Sequence, residues 1–268
     1  MADNAMLAPQ ERPGARSIAT SVRPDRRLVQ AGQRSSVQES DRFVAHGNRN
    51  VFSREMQQVR ADVVRMGELV SGAIDAAVGA FSRMDLRAAM EVVAQDSKIN
   101  LAQTELSSLI ITTIATQSPV AGDLRFLISL SHVSYELERI GDHAAGVARH
   151  TVRLLSSNPD GRSAAGNTGL DRLGELASSV LHGVLLALVD LDVQAARRVA
   201  AQDDEIDRLY HAYFARTLEK MRQEPGWVEA GAHLLFAAKD LERIGDRVTN
   251  IAEEVVFLST GVVEDLNP

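Results

Sequence analysis

Apolar residues recur at intervals of three and four along most of the chain from about residue 51 onward. The first stripe comprises Met56, Val59, Val63, Met66, Val70, Ile74, Ala77 and Phe81. This spacing places the apolar side chains on one face of an α-helix. It predicts a first helix that begins at about residue 51.

Five further helices are predicted by the same pattern and by the breaks between them. They cover residues 86–116, 123–156, 170–190, 193–222 and 228–260. Pro119 and Gly122 separate the second helix from the third, and Pro225 separates the fifth from the sixth. Asp123 is expected to cap the third helix. The fold class is therefore all-α, with six long helices.

Three short motifs of the first half return in the second half in the same order. Met66-Gly-Glu-Leu matches Leu173-Gly-Glu-Leu, and the run 95–100 matches the run 202–207, both at an offset of 107 (173 − 66). Leu-Glu-Arg-Ile-Gly-Asp occurs at 137–142 and at 241–246, an offset of 104. Collinear matches of this kind indicate a duplication. We predict two tandem three-helix units, residues 51–157 and 169–262, joined by a Ser/Gly/Asn-rich linker, 158–168.

The composition and charge of the chain limit which compartments and which classes of protein are possible. The chain has no cysteine, which excludes disulfides and thiolate chemistry. No uninterrupted apolar run is long enough for a membrane span, and no secretory signal core is present, so we expect a cytoplasmic protein. The net charge of −7 disfavours nucleic-acid binding. Residues 1–50 lack an apolar period and are predicted to be a disordered tail.

Acidic pairs four residues apart occur at equivalent places in the two repeats. Each pair shares one helix face with its members about 6 Å apart, where like charges repel. A bound cation can offset this repulsion, and carboxylates from neighbouring helices supply the oxygen ligands that hard or borderline metal ions prefer. The predicted metal ligands are Glu138 and Asp142, Glu242 and Asp246, Asp203 and Asp207, and Asp96 with Asn100.

Simpler interpretations of the same residues stay open. Arg139 and Arg243 precede the last acid of each signature by three residues and can form ordinary ion pairs. Gly141 and Gly245 can admit a metal cluster, or they can simply allow close helix packing. His143 follows Asp142, but its repeat equivalent is an arginine, so we expect it at the surface.

No nucleophile–base arrangement or phosphate-binding loop is found, so no catalytic residue is predicted. Two classes of protein are compatible with these residues. One is a carboxylate-bridged metalloenzyme, although the Glu-x-x-His pairs usual in di-iron bundles are absent from the sequence. The other is a metal-free helical scaffold.

The doubled signature resembles that of the PhoU family. The residues that carry the resemblance are the run 136–142, the run 241–246, and Gln-Ser-Pro-Val-Ala-Gly-Asp-Leu-Arg at 117–125, a sequence similar to the turn before the third helix in that family. The resemblance covers about residues 52–260.

The resemblance implies a function as well as a fold. It implies a cytoplasmic, non-enzymatic negative regulator of phosphate uptake and of the phosphate-starvation regulon. Its expected partners are the ATPase of the phosphate ABC transporter, the sensor histidine kinase and a second copy in a homodimer. The family's metal clusters, of divalent or ferric ions, map onto the acidic pairs above. Asn100 departs from the family pattern, which puts full occupancy of the site with Asp96 in doubt.

Overall fold

The periodic stripes form helices along the part of the chain that a computed structural model describes. The backbone is described for residues 26–157 and 169–267, and the side chains for residues 51–157 and 169–267. The described α-helices are α1 (Arg26–Arg83), α2 (Leu86–Gln117), α3 (Ala121–Ser157), α4 (Leu170–Asp190), α5 (Val193–Ala200), α6 (Asp203–Gln223) and α7 (Val228–Thr260), with a 3₁₀ turn at Pro225–Trp227 before α7. The predicted all-α fold is confirmed.

Two predicted helix boundaries are wrong for local reasons. The predicted fifth helix is divided into α5 and α6, because the Gln202 N–H bonds the carbonyl of Val199, three residues back, rather than continuing the four-residue ladder. Asp123 does not cap α3, because the chain turns at Ser118 and Ala121, both at positive φ, and the helix has already begun at Ala121. Asp123 lies in the first turn, where its charge favours the helix N-terminus.

The first helix extends further toward the N-terminus than its apolar stripe predicts. The α1 backbone begins at Arg26, inside the segment predicted to be a disordered tail, while residues 1–25 and the predicted linker at 158–168 lie outside the described residues. Residues 1–49 and 50–268 are two separate units, and both repeats belong to the second unit.

The two repeats use the same turn between their first two helices. Met84 and Leu191, 107 residues apart, adopt positive φ (49° and 52°). The next residue in each case, Asp85 or Asp192, caps the following helix through its side-chain oxygen. Positive φ is uncommon for a non-glycine residue. Its occurrence at equivalent places supports the duplication that the sequence predicts.

The first helix of each repeat packs against its counterpart in an antiparallel pair with two-fold pseudosymmetry. A Cβ placed on Gly67 would lie 2.7 Å from Leu185, and one placed on Gly174 would lie 2.5 Å from Val78. Residues 67 and 174, like residues 78 and 185, are separated by the repeat offset of 107. These glycines therefore serve close helix packing.

The third helices, α3 and α7, also lie antiparallel and obey the same pseudosymmetry. Glu136 pairs with Arg247 at 3.4 Å, and Asp240 pairs with His143 at 3.0 Å. Adding 104 to 136 and 143 gives 240 and 247, so the two contacts are symmetry mates. His143 is thus held at the α3–α7 interface, and its predicted surface position is wrong. The arginine at its repeat equivalent makes the matching contact.

A single core of buried apolar side chains spans both repeats. The first stripe of α1 is confirmed, since Val59, Met66 and Ile74 are almost fully buried. Among the described helices, α4 alone is long and apolar enough by length and composition to cross a membrane, with a mean hydropathy of 1.5. Its buried residues, among them Leu181, belong to the shared core.

Candidate metal centres

The second repeat brings four of the predicted carboxylates into one cluster. Asp203 begins α6, while Glu242 and Asp246 lie on the facing part of α7. Asp203 and Glu242 are almost fully buried, at 4% and 7% exposure. The close approach depends on Gly245, because a Cβ at that position would lie 2.4 Å from Asp203 Oδ1. The helix break before Asp203 and the glycine of the signature therefore place this carboxylate directly against α7.

Burial and the repulsion between like charges disfavour the ionised form of the carboxylates in this cluster. Desolvation, reinforced by the charges of Asp246, Asp207 and Glu242, raises the pKa of Asp203 to about 6. One buried oxygen of Asp203 (Oδ1) and one of Glu242 (Oε2) accept no hydrogen bond within the described residues. An unsatisfied buried carboxylate oxygen is strongly disfavoured unless it is protonated or meets a cation.

The first repeat forms a smaller version of the same cluster from Asp96, Glu138 and Asp142. Desolvation raises the pKa of Asp96, and the charge of Asp142 adds to the shift. The pKa of Glu138 is raised for the same two reasons, in the same order. Asp96 Oδ1 and Glu138 Oε2 are buried and accept no hydrogen bond within the described part of the chain. The first cluster therefore has the same buried, mutually repelling carboxylates as the second, but fewer of them.

Asn100 and Gly141 distinguish the first cluster from the second. The Asn100 side chain is exposed, and its backbone carbonyl accepts a hydrogen bond from Thr104. A Cβ on Gly141 would meet the end of Ile99 at 2.9 Å rather than a carboxylate. Gly141 therefore serves helix packing, whereas Gly245 makes room for an acidic side chain.

The predicted ion pairs are also present, on the outer side of both clusters. Arg139 Nη1 lies 3.1 Å from Asp142, and its Nε lies 3.4 Å from Glu138. Arg243 lies 3.5 Å from Asp246. Both arginines are more than two-fifths exposed, and exposed pairs contribute at most about 1 kcal/mol. Arg139 Nε lies beside the buried Oε2 of Glu138, so the ion pairs account for part of the first cluster. In the second cluster they leave Asp203 Oδ1 and Glu242 Oε2 without a hydrogen bond in the described residues.

The clusters fit a hard cation in their chemistry, since every candidate ligand atom is an oxygen and each cluster holds buried carboxylate oxygens that accept no hydrogen bond in the described residues. In the part of the chain that the structure describes, no three His, Asp or Glu side chains are close enough to hold a metal ion as they stand. Binding therefore requires the carboxylates to turn toward the ion.

Sequence reasoning missed several residues around the second cluster. Lys239 pairs with Glu242 from one turn earlier on α7. Asn267, in the segment after α7, donates a hydrogen bond from Nδ2 to Asp203 Oδ2 at 2.7 Å. Lys239 could have been found from its i, i+3 spacing. Asn267 carries no such signal, because only the path of the segment brings it back to α6.

The chain is thus an all-α protein built from two copies of a three-helix unit, with an acidic cluster at the equivalent place in each copy. The family model of the PhoU domain matches residues 63–151 and again residues 170–255, one match in each repeat. The chain belongs to the PhoU family.

Relatives of known name and structure agree with this assignment. The chain is 35% identical over 210 residues to a phosphate-specific transport system accessory protein PhoU homolog of Caulobacter vibrioides, covering 78% of this chain and 90% of the relative. The homolog of Xylella fastidiosa is 34% identical, with 78% and 87% coverage. The crystal structure of PhoU from Pseudomonas aeruginosa superimposes with a TM-score of 0.72 at 30% identity, covering 79% of this chain and all of that one.

Proposed function

We propose that this protein is a cytoplasmic negative regulator of phosphate uptake and of the phosphate-starvation regulon. It acts as an adaptor, working as a homodimer, between the phosphate ABC transporter ATPase and the sensor histidine kinase of the phosphate two-component system. Membership of the PhoU family supports this role, as do the names of relatives, which are accessory proteins of the phosphate-specific transport system.

We further propose that both acidic clusters bind divalent or ferric ions. Asp203, Asp207, Glu242 and Asp246 hold the ion or ions of the second repeat. The observation that carries this proposal is the set of buried carboxylate oxygens without hydrogen-bond partners, which the two repeats share.

The first repeat offers Asp96, Glu138 and Asp142, and we propose that its site is the weaker of the two. Asn100 contributes no carboxylate and its side chain is exposed. With fewer negative charges the site attracts a cation less strongly, so the two sites are expected to differ in occupancy.

A bound cation supplies positive charge that neutralises each cluster. The carboxylates of α6 and α7, or of α2 and α3, repel one another without it. The ion would therefore tie the second helix of each repeat to the third.

A genetic test separates the regulatory proposal from the metal proposal. A strain without the gene is expected to express a phosphate-starvation reporter constitutively in phosphate-rich medium, and the wild-type gene restores repression. The double variant Asp203→Asn, Glu242→Gln is expected to restore it poorly. Glu219→Gln serves as the matched control, because Glu219 lies on α6 but is 56% exposed and pairs with Arg222.

Each outcome of this test decides one part of the proposal. Normal repression in the deletion strain contradicts the regulatory role. Full repression by the double variant, at the same protein level as the control, leaves the regulator intact and contradicts a role for the metal. In that case a metal-free helical scaffold is the better description. Hydrolytic or redox turnover by the metal-loaded protein would instead support the metalloenzyme alternative.

A further inference from the structure

The segment that comes after α7 covers one face of the second repeat. We call residues 262–267, which form no helix, the strap. Glu264 of the strap makes a two-pronged ion pair with Arg197 of α5, at 2.7 and 3.2 Å. The Leu266 N–H donates to Glu253 of α7 at 3.0 Å, and the Leu266 side chain packs against the core. The strap therefore docks on α5 and α7 through one ion pair, one backbone hydrogen bond and one apolar side chain.

The pseudosymmetry of the repeats identifies the equivalent face of the first repeat. Subtracting 107 from 197 gives Met90 of α2, and subtracting 104 from 253 gives Arg149 of α3. Both residues line one cavity of about 330 Å³ between α2 and α3, together with Val93, Ala94, Val152 and Arg153. We call the surface around this cavity the α2–α3 face. It lies where the strap docks in the second repeat.

The apolar part of the α2–α3 face is exposed. Met90 is 57% exposed, and Leu86, one turn earlier on α2, is 41% exposed. A second cavity, of about 390 Å³, adjoins the first, because Met90 and Ala94 line both. Large exposed apolar side chains grouped around a cavity are typical of a surface that another chain covers.

The charged part of the α2–α3 face is positive. Arg149 and Arg153 are both exposed. Arg149 donates a hydrogen bond to the backbone carbonyl of Asp142 at 3.1 Å, and Arg153 has no carboxylate partner among the described residues. The acid beside the cavity, Glu91, is already paired with Arg87 at 3.0 Å. Two guanidinium groups next to an apolar surface favour a partner that carries carboxylates among apolar side chains.

The sequence at the strap's position in the first repeat does not have this chemistry. Residues 158–163 correspond to the strap at the offset of 104, and they read Asn-Pro-Asp-Gly-Arg-Ser. Arg162 stands where the strap has Leu266, so this stretch brings a positive charge in place of an apolar side chain. A third positive charge beside Arg149 and Arg153 is unfavourable. The matching segment is therefore expected from another protein.

We propose that a short acidic and apolar segment of a partner protein docks on the α2–α3 face, as the strap docks on α5 and α7. Its apolar side chains cover Met90 and Val152, and its carboxylates pair with Arg149 and Arg153. The inference gives the proposed adaptor a contact surface and states the chemistry of the partner segment. It rests on the adaptor proposal only for the existence of a partner, and it does not involve the metal sites.

The test uses a fluorescein-labelled peptide and the full chain in fluorescence anisotropy. The peptide has the sequence of residues 260–267 with Glu264→Leu, because Met90 takes the place of Arg197 in the first repeat, and it keeps a free C-terminal carboxylate. The double variant Arg149→Glu, Arg153→Glu is expected to bind it about tenfold more weakly than the wild type, since two attractions become repulsions. The matched control is Arg172→Glu, which reverses the charge of a 65% exposed arginine on α4 and is expected to bind as the wild type does.

Each outcome supports or overturns the docking site. Saturable binding that the double variant weakens and the control does not supports it, provided that both variants unfold at the wild-type temperature. Equal binding by the wild type and the double variant overturns it. Absence of binding to the wild type, the result expected if residues 158–163 or a second copy cover the face, also overturns it. So does binding of phosphatidylglycerol vesicles without binding of the peptide. The measurement involves neither the transporter nor the kinase, so the regulatory proposal is tested separately by the reporter strain.

Discussion

Replacing Asp203 by asparagine should stabilise the metal-free protein. The side chain is 4% exposed and faces three other acids, so its ionisation is disfavoured in the folded state. Asparagine has nearly the same shape but no charge, and its carbonyl oxygen can still accept from Asn267. The substitution removes a charge penalty while keeping the hydrogen bond.

The magnitude can be worked out from the pKa. Folding raises the pKa of Asp203 from 3.8 to about 6, and at roughly 1.4 kcal/mol per pKa unit this corresponds to about 3 kcal/mol. A group whose folded pKa is raised binds its proton more tightly in the folded state, so stability falls as the pH rises through 6. The full penalty is present above about pH 7 and absent below the unfolded value of 3.8.

Urea unfolding in the presence of a chelator measures the effect. At pH 8 the free energy of unfolding of Asp203→Asn should exceed that of the wild type by about 2–3 kcal/mol. The difference should shrink as the pH is lowered toward 5. Saturating Mn²⁺ should reverse the order, because the metal stabilises only a protein that binds it.

Two results would refute this reasoning. One is a variant that is less stable than the wild type at pH 8, which would mean that the carboxylate makes favourable contacts in the folded state. The other is a difference that does not change with pH, which would mean that ionisation of Asp203 is not its cause. Glu219→Gln, on the exposed face of α6, should show no comparable stabilisation.

Three further predictions concern the glycines, a histidine and Asn100. Gly245→Ala should destabilise the protein by about 1–3 kcal/mol and weaken cation binding, because its Cβ would lie 2.4 Å from an Asp203 oxygen. Gly141→Ala should destabilise it less in urea unfolding, because its Cβ would meet the flexible end of a side chain and alanine favours the helix. Burial lowers the pKa of His150, so the stability contributed by the neutral imidazole should be lost as the pH falls below 6.5. His150→Phe should remove this pH dependence in thermal unfolding, and a variant with the same pH profile as the wild type contradicts the prediction. Asn100→Asp should tighten Mn²⁺ binding at the first repeat in calorimetry, and unchanged binding would show that position 100 lies outside the site.

Much of the fold can be predicted from local patterns. The apolar period of three and four, with Pro119 and Pro225 as breaks, predicts most helix ends to within one or two residues. The pattern does not predict the division between α5 and α6, because Ala201 and Gln202 are both compatible with a continuous helix. That break depends on backbone hydrogen bonds that sequence periodicity does not report.

The acidic clusters illustrate what spacing can and cannot predict. Spacing places Glu242 and Asp246 on one helix face, and the repeat supplies the expectation that Asp203 belongs with them. It does not say that Asp203 is buried against Gly245 or that Asn267 reaches it from 64 residues away. Those contacts depend on tertiary packing. The interface position of His143 escapes sequence reasoning for a related reason: its pseudosymmetric partner Arg247 looks unrelated in the sequence but makes the equivalent contact.

Each repeat is proposed to hold metal on its own carboxylates. The most direct measurement is the metal content of protein purified without chelators, by elemental mass spectrometry. It compares the wild type with two double variants, Asp203→Asn with Glu242→Gln, and Asp96→Asn with Glu138→Gln. We predict metal in the wild type, a large loss in the first variant and a smaller loss in the second. Equal metal content in all three proteins, or none in the wild type after loading with Mn²⁺ or Fe³⁺, would contradict the account.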